Sequence, residues 1–298
     1  MELDWLEDFV ALSESGSFSR AAEGRHITQP AFSRRVRALE EWVGTPLFVR
    51  SSHGATLTPA GEQFERGAAA LIRSLAHLRR DAREAGNRET ATLHFAATHA
   101  LSFTFFPGWI RGVEQRIPVG PVQLVSDSMA ACEELMLQGQ AQFLLCHQHE
   151  LAPSRFEPRH FRSEMVGVDA LIPLVAPDDG GKPRWHLDAG GALPLLGYTA
   201  ESGLGRIVAA HHFSDRAPSL ETVFAARLAA TLLGMAREGG GIAWLPESLA
   251  AQDMESGRLL RAGDATWDVP VEIRLFRPAA RQSVAAEHFW ANLRAADA

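Results

Sequence analysis

The chain is short of several residue types, and each shortage excludes something. Lys182 is its sole lysine, and it has one tyrosine and two cysteines in 298 residues. Cationic charge is therefore almost all arginine, so phosphate contacts would be made by planar forks rather than point charges. Two cysteines, Cys132 and Cys146, make no disulfide framework and are expected to be packing thiols. No run of about 18 apolar residues is present to cross a bilayer. The start alternates acids and apolar residues without a basic or hydrophobic leader region, which leads us to expect a cytoplasmic protein away from membranes. The chain has no Gly-x-Ser-x-Gly elbow, no Walker loop and no Gly-x-Gly-x-x-Gly after a first strand. Gly203-Leu204-Gly205-Arg206 lacks a third glycine. We therefore expect no enzyme activity and no cofactor.

What is present is a globular composition, 46% hydrophobic, with length for two or three domains. The formal net charge is −7, yet the charge is unevenly placed. Residues 25–50 carry Arg25, Arg34, Arg35, Arg37 and Arg50 against Glu40 and Glu41, while Asp4, Glu7 and Asp8 sit on a first helix expected from Leu3 to Ser13. Local charge, not the total, decides whether nucleic acid is approached.

Ser17 to Thr58 reads as two short helices, a tight turn and a β-ribbon. Ser17 and Thr28 stand where N-caps belong, and Pro30 lies in the first turn of the second of these helices. At about 100° per residue, Phe32, Val36, Leu39 and Val43 form one stripe and Pro30, Ser33, Arg34 and Arg37 the opposite one. Such a helix can sit on a core and push its polar side into a major groove. Piece by piece, the same segment also reads as a surface hairpin with solvated arginines. Leu47–Val49 and Ala55–Leu57 are expected strands of a wing, turning at Ser51-Ser52-His53-Gly54 with Gly54 at positive φ.

The ordered combination TQPAFSRRVRALEEWVGTPLFVR followed by TLTPAGE resembles the winged helix-turn-helix of LysR-type transcriptional regulators nearly position for position. The likeness is strong over residues 1 to about 90 and extends in outline to the rest. It implies a DNA-binding regulator with Gln29, Pro30, Ser33, Arg34 and Arg37 at the DNA and Arg50 as a phosphate clamp in the wing. It implies double-stranded operator DNA, a small-molecule effector and RNA polymerase as partners.

Thr58 and Pro59 open a long helix whose apolar positions Phe64, Ala68, Leu71, Leu75, Leu78 and Ala82 step by four and three, a heptad seam. The alternative is a helix packed along its own domain. In the resembled family this helix pairs with its counterpart, which implies a homo-oligomer, a dimer of dimers. Asp81 to Glu89 reads as a polar hinge. The expected division is residues 1–58, 59–90 and 91–298.

From Thr92, strands alternate with amphipathic helices, the mark of parallel βαβ units. We expect strands at TLHFAA, VQLVS, FLLCH, LPLLGY, IAWL and VEIRLF, and a long strand or strand pair at Met165–Val175. Helices are expected at Phe103–Glu114, Met129–Gln138, Leu220–Glu238 and Val284–Ala295. The overall class is α+β multidomain. The resemblance implies a two-lobed, periplasmic-binding-protein-like effector domain, with lobe I at 92–163 and 268–298 and lobe II at 164–267.

Ligands of open α/β sheets sit beyond the carboxyl ends of strands, near helix starts. That rule selects Thr98, His99, Ala100, Leu101 and Ser102; His147 and Gln148; and Thr199, Ala200, Glu201 and Ser202. Free amides and hydroxyls there favour an anion, whereas Glu201 opposes a simple carboxylate. The other reading makes these hydroxyls helix caps. His147 and His149 are a conceivable metal pair, and His211-His212 a helix-surface pair. ATHALSFTFFP and GGGIAWLPE resemble the branch of the family that contains hypochlorite-responsive regulators, which implies methionine oxidation as an alternative signal. Of the methionines, Met129, Met136 and Met235 read as core packing, and none falls in the expected cleft loops.

Overall fold

The computed structural model describes residues 2–51, 54–86, 92–152, 154, 156–211 and 219–296. Outside the described residues lie Ser52 and His53 of the expected wing turn, the hinge end Asn87–Glu89, and His212. Two compact units are present, Met1–Arg88 with Leu137–Gly139, and Glu89–Met136 with Gln140–Ala298.

The first unit begins with α1 (Leu3–Ser15), α2 (Phe18–Gly24) and α3 (Gln29–Val43). Strands β1 (Phe48–Ser51) and β2 (Gly54–Leu57) then pair antiparallel as the wing, and α4 (Pro59–Gly86) follows. Leu6, Phe9, Leu12, Phe32, Val36, Leu39 and Leu47 are all 2% exposed or less and form the core. Gly54, at φ 133°, has no room for a side chain: a Cβ there would lie 2.3 Å from the Gly16 carbonyl oxygen. The α2–α3 turn is tight, with the Ile27 amide donating to the Ala22 carbonyl at 3.0 Å and His26 at φ 56°. Left-handed backbone is unusual for a side chain as large as histidine.

Two cap expectations are corrected. Neither the Ser17 nor the Thr28 hydroxyl takes a helix amide. An N-cap oxygen reaches the second or third helical amide, and Pro30 removes the second one from α3. Thr58 does cap, accepting from the Gly61 amide at 3.0 Å.

The second unit contains β3 (Leu93–Thr98), α5 (His99–Thr104), α6 (Phe106–Glu114), β4 (Val122–Asp127), α7 (Met129–Leu137), β5 (Phe143–Gln148) and β6 (Phe161–Val175). It continues with β7 (Ala192–Tyr198), α8 (Gly203–Ala210), β8 (Ser219–Ala226), α9 (Ala229–Arg237), β9 (Ala243–Pro246), α10 (Glu247–Glu255), β10 (Leu260–Arg261), β11 (Val269–Pro278) and α11 (Val284–Ala296). The main sheet runs β10-β6-β11-β5-β3-β4, with β9 also on β6. Strand β3 is parallel to β4 and β5, whereas β11 is antiparallel to β5 and β6. The fold is therefore a mixed sheet curled into a two-lobed α/β domain. One lobe packs around Phe95, Phe143, Phe289 and Trp290. The other packs around Trp244, Leu187 and Ile207, and around Leu232 and Leu245. Strands β6 and β11 run through both lobes, so the expected lobe boundary at 163/164 falls inside a continuous strand.

The expected helix Leu220–Glu238 is instead a strand and a shorter helix. Leu220, Thr222 and Phe224 alternate along β8, which pairs parallel with β7, and the β-branched Thr222-Val223 pair suits that pleated surface. The expected helix Phe103–Glu114 is replaced by α5 and α6, which part at Phe105.

Candidate functional site

In the first unit, α3 turns Phe32, Val36 and Leu39 inward, each 1% exposed or less. The opposite side holds Gln29, Pro30, Arg34 and Arg37 exposed, with Ser33 half-buried. Among the described residues, Arg34 and Arg37 have no carboxylate partner. Arg50, on β1, stacks its guanidinium 4.3 Å above the Phe18 ring, and Phe18 meets Phe32 edge-on at 6.0 Å. A cation over an aromatic face is held in place without losing its charge. Glu40 accepts from the Leu47 and Phe48 amides at 2.9 and 3.1 Å, joining the end of α3 to the wing.

Arg25 and Arg35, although in the basic segment, turn back to α1. Arg25 reaches Glu7 at 2.6 Å and Asp8 at 2.9 Å, and Arg35 reaches Asp4 at 3.3 Å and Asp8 at 3.4 Å. The free cationic surface is thus narrower than the arginine count suggests.

In the second unit a cavity of about 40 Å³ lies between the lobes. Thr98, His99, Ala100, His147 and Ser202 line it, together with Asp127, Ser128, Met129, Gly203, Leu204, Arg227, Leu228 and Ala229. Leu101 is instead fully buried in the core. Ser102 donates to the His99 carbonyl at 2.7 Å and meets Ser126 at 2.8 Å. Gln148 donates to the His149 and Ala152 carbonyls, at 3.2 and 3.3 Å. Thr199 and Ala200 are not on the cavity wall, and Glu201 is exposed, 3.8 Å from Arg227. Ser202 caps α8, accepting from the Gly205 amide at 3.3 Å. Thr98 makes no cap bond, and its hydroxyl is buried without a partner. A buried unpaired hydroxyl costs about 1–3 kcal/mol.

The lobes also touch through residues that do not line this cavity. Arg206 of α8 reaches the buried Glu133 of α7 at 3.3 Å, and the His149 and His211 rings meet edge-on at 5.8 Å. Beneath the cavity, His147 Nε2 lies 3.2 Å from Asp169 on β6. The same carboxylate takes the Ser248 hydroxyl at 2.5 Å and the Ala170 amide at 2.8 Å. Burial opposes the charge on Asp169, but the hydrogen bond and charge of His147, with the Ser248 and Ala170 donors, outweigh it and hold the carboxyl below its ordinary value. His147 is therefore tied to a carboxylate rather than paired with His149, and among the described residues no group of three potential metal ligands occurs.

Met129 is buried as core packing, 5% exposed, and also forms part of the cavity wall. Burial pushes the Cys132 thiol up to about 12 and the Cys146 thiol up further. Neither sulfur holds appreciable thiolate at neutral pH.

Residues 3–62 match the family model for the bacterial regulatory helix-turn-helix protein, lysR family, and residues 86–298 match the LysR substrate binding domain. The chain belongs to the LysR family of transcriptional regulators. The HTH-type transcriptional regulator YjiE of Escherichia coli K12 is 30% identical over 296 residues, covering 99% of this chain and 94% of YjiE. Vibrio fischeri DarR, solved in complex with DNA, is 28% identical with a TM-score of 0.56 and 98% of each chain covered. The hypochlorite-specific regulator HypT of Salmonella typhimurium is 29% identical at full length, with a TM-score of 0.57, covering 99% of this chain and 97% of that one. Its bromide-bound regulatory domain covers 70% of this chain and 98% of that one, at 26% identity and a TM-score of 0.55. The LysR-family chain described here is accordingly a DNA-binding transcriptional regulator with an effector-binding domain, not an enzyme.

Proposed function

We propose that this regulator binds its operator through Gln29, Pro30, Ser33, Arg34, Arg37 and Arg50, and is gated by a small anion between its lobes. The observation that carries the effector reading is the buried, unpartnered Thr98 hydroxyl in the wall of a cavity of about 40 Å³. By that measure a water needs about 10–15 Å³. The space therefore suits an ion of a few heavy atoms rather than an aromatic acid. Arg227 at the wall and the amides that begin α8 at Gly203 favour negative charge, offset in part by Asp127 on the same wall. HypT has been solved with bromide, a ligand of this size. Thermal denaturation of the full chain in halide, nitrate and formate, against benzoate at equal ionic strength, tests the reading. Selective stabilisation by small anions, absent in Thr98→Val, is expected.

A second reading rests on Met129. Its thioether is part of the cavity wall, so an oxidising anion that enters would meet it first, and sulfoxide formation would place a polar group there. Peptide mass analysis after hypochlorite exposure decides this by showing whether Met129 oxidises before Met165, which is 51% exposed.

We further propose that α4 builds a dimer and that effector domains pair these into a tetramer. Leu71, Leu75 and Leu78 are 49%, 42% and 64% exposed. A groove of about 560 Å³ lined by Trp42, Val43, Phe64 and Leu71 adjoins them. Among the described residues, the seam reaches its own core through Phe64 and Ala68. Among the described residues no helix is long and apolar enough to cross a membrane. The proposed place of action is the cytoplasm, with RNA polymerase as the downstream partner.

A further inference from the structure

We propose that Asp8 is a positioning residue for DNA recognition, fixing the rotation of α3 through Arg35 and the α2–α3 turn through Arg25. Asp8 has 0% exposed surface. Both of its carboxylate oxygens are used: one accepts from Arg25 Nε at 2.9 Å, the other from Arg35 at 3.4 Å. One buried acid on α1 thus holds one group from the turn and one from α3.

A buried carboxylate is expensive to remove from water, and an apolar side chain in its place often stabilises as well or better. The best-attested use of such a charge is to specify one arrangement among similar ones. The arrangement at stake here is angular. Phe32, Val36 and Leu39 anchor α3 by apolar contact, which is non-directional. The guanidinium–carboxylate bonds are directional. Arg35 is the chain neighbour of Arg34, so a rotation of α3 that breaks the Arg35–Asp8 contact swings Arg34 and Arg37 through the same angle. Arg25 occupies the C-cap of α2, directly before His26 in its left-handed conformation. Holding Arg25 therefore also holds the turn that launches α3.

The pairing also shapes the field that DNA meets. Asp4, Glu7 and Asp8 would repel phosphates if unpaired, and Arg25 and Arg35 offset their charge. Two arginines of the basic segment are thereby withheld from the phosphates.

The proposal rests on α3 being the element that reads the operator. The test uses the full-length chain, an operator duplex selected by the wild-type protein from random sequence, and a scrambled duplex, each titrated at several salt concentrations. Asp8→Asn keeps the shape and removes the charge. We expect at least a tenfold loss for the operator. Scrambled affinity should be unchanged or higher, with an unchanged or steeper salt slope, since Arg25 keeps Glu7 and Arg35 keeps Asp4. A purely structural acid would lower the folded fraction and leave the operator-to-scrambled ratio intact. An unchanged ratio in folded Asp8→Asn overturns the proposal. If Asp8→Asn does not fold, Arg35→Gln decides in the same way, since Asp8 keeps Arg25. Arg34→Ala run alongside separates the two readings. If it lowers operator affinity while the Asp8 ratio is unchanged, only the positioning role fails; if it changes nothing, both fail.

Discussion

Gly203, the first residue of α8, faces Met129, the first residue of α7, across the interlobe cavity: a Cβ built on Gly203 would stand 3.0 Å from the Met129 Cβ. The lobes approach this closely because one partner lacks a side chain. Gly203→Val should hold them apart and weaken small-anion binding at least tenfold, read by calorimetry. Met129→Ala should act oppositely on size. It should admit larger anions such as benzoate, at a stability loss of about 2–5 kcal/mol for a buried methionine.

The exposed side of α3 separates base reading from phosphate holding. Arg34→Ala or Arg37→Ala should cost about 1–3 kcal/mol of operator binding if the side chain reads a base, and relax specificity at one position. Arg50→Ala should instead weaken all sequences similarly and reduce the salt slope by about 1. Fluorescence anisotropy with operator and scrambled duplexes at three salt concentrations distinguishes these. Full operator affinity in both α3 variants would remove the groove assignment.

Leu75 is 42% exposed on α4, and a charge there should be harmless unless a second helix covers it. Leu75→Asp is expected to dissociate the dimer, because an unpaired carboxylate would be buried in the seam. Sedimentation reads the mass directly. An unchanged mass together with unchanged operator binding would mean that the seam is not the interface.

Thr98→Val preserves the shape of the side chain and deletes its hydroxyl. The anion-dependent rise in melting temperature and the effector response of operator binding should disappear, while operator affinity without effector stays within about twofold. A normal response in this variant would place the sensor away from β3.

Asp169 gives the effector domain an acid sensitivity. Its folded carboxyl is held below the ordinary value, so the charged form contributes stability that is present above the unfolded value of about 4. That contribution is lost as pH falls through the lower folded value. Denaturant unfolding from pH 6 to 3 should show stability falling with acid in the native protein and a flatter curve below pH 4 in Asp169→Asn.

The sequence was most legible where one periodicity ran uninterrupted. The stripe Phe32, Val36, Leu39 is the buried side of α3, and Arg34 and Arg37 follow from it by geometry alone. Arg25 and Arg35 were not legible in the same way, because their partners lie on α1, out of reach of any local pattern. On the cavity wall, Asp127 ends β4 and Ser128 follows it, so the strand-end rule that selects Thr98 selects them too. Arg227, Leu228 and Ala229 follow the strand end at Ala226, which the helical reading of Leu220–Glu238 conceals. Met129 reads as ordinary core because it is buried, and its place on the cavity wall depends on Gly203, which no local pattern couples to it.

Strands β6 and β11 pair along ten residue positions, from Val269–Leu171 to Pro278–Phe161, with one register shift at Ile273/Arg274. Lobes joined by such a ribbon cannot swing like doors on slack loops. They can only wind and unwind it, storing torsion along a ladder of backbone hydrogen bonds. Movement of one lobe against the other must be taken up along this ladder, whose regular pairing is interrupted at Ile273/Arg274.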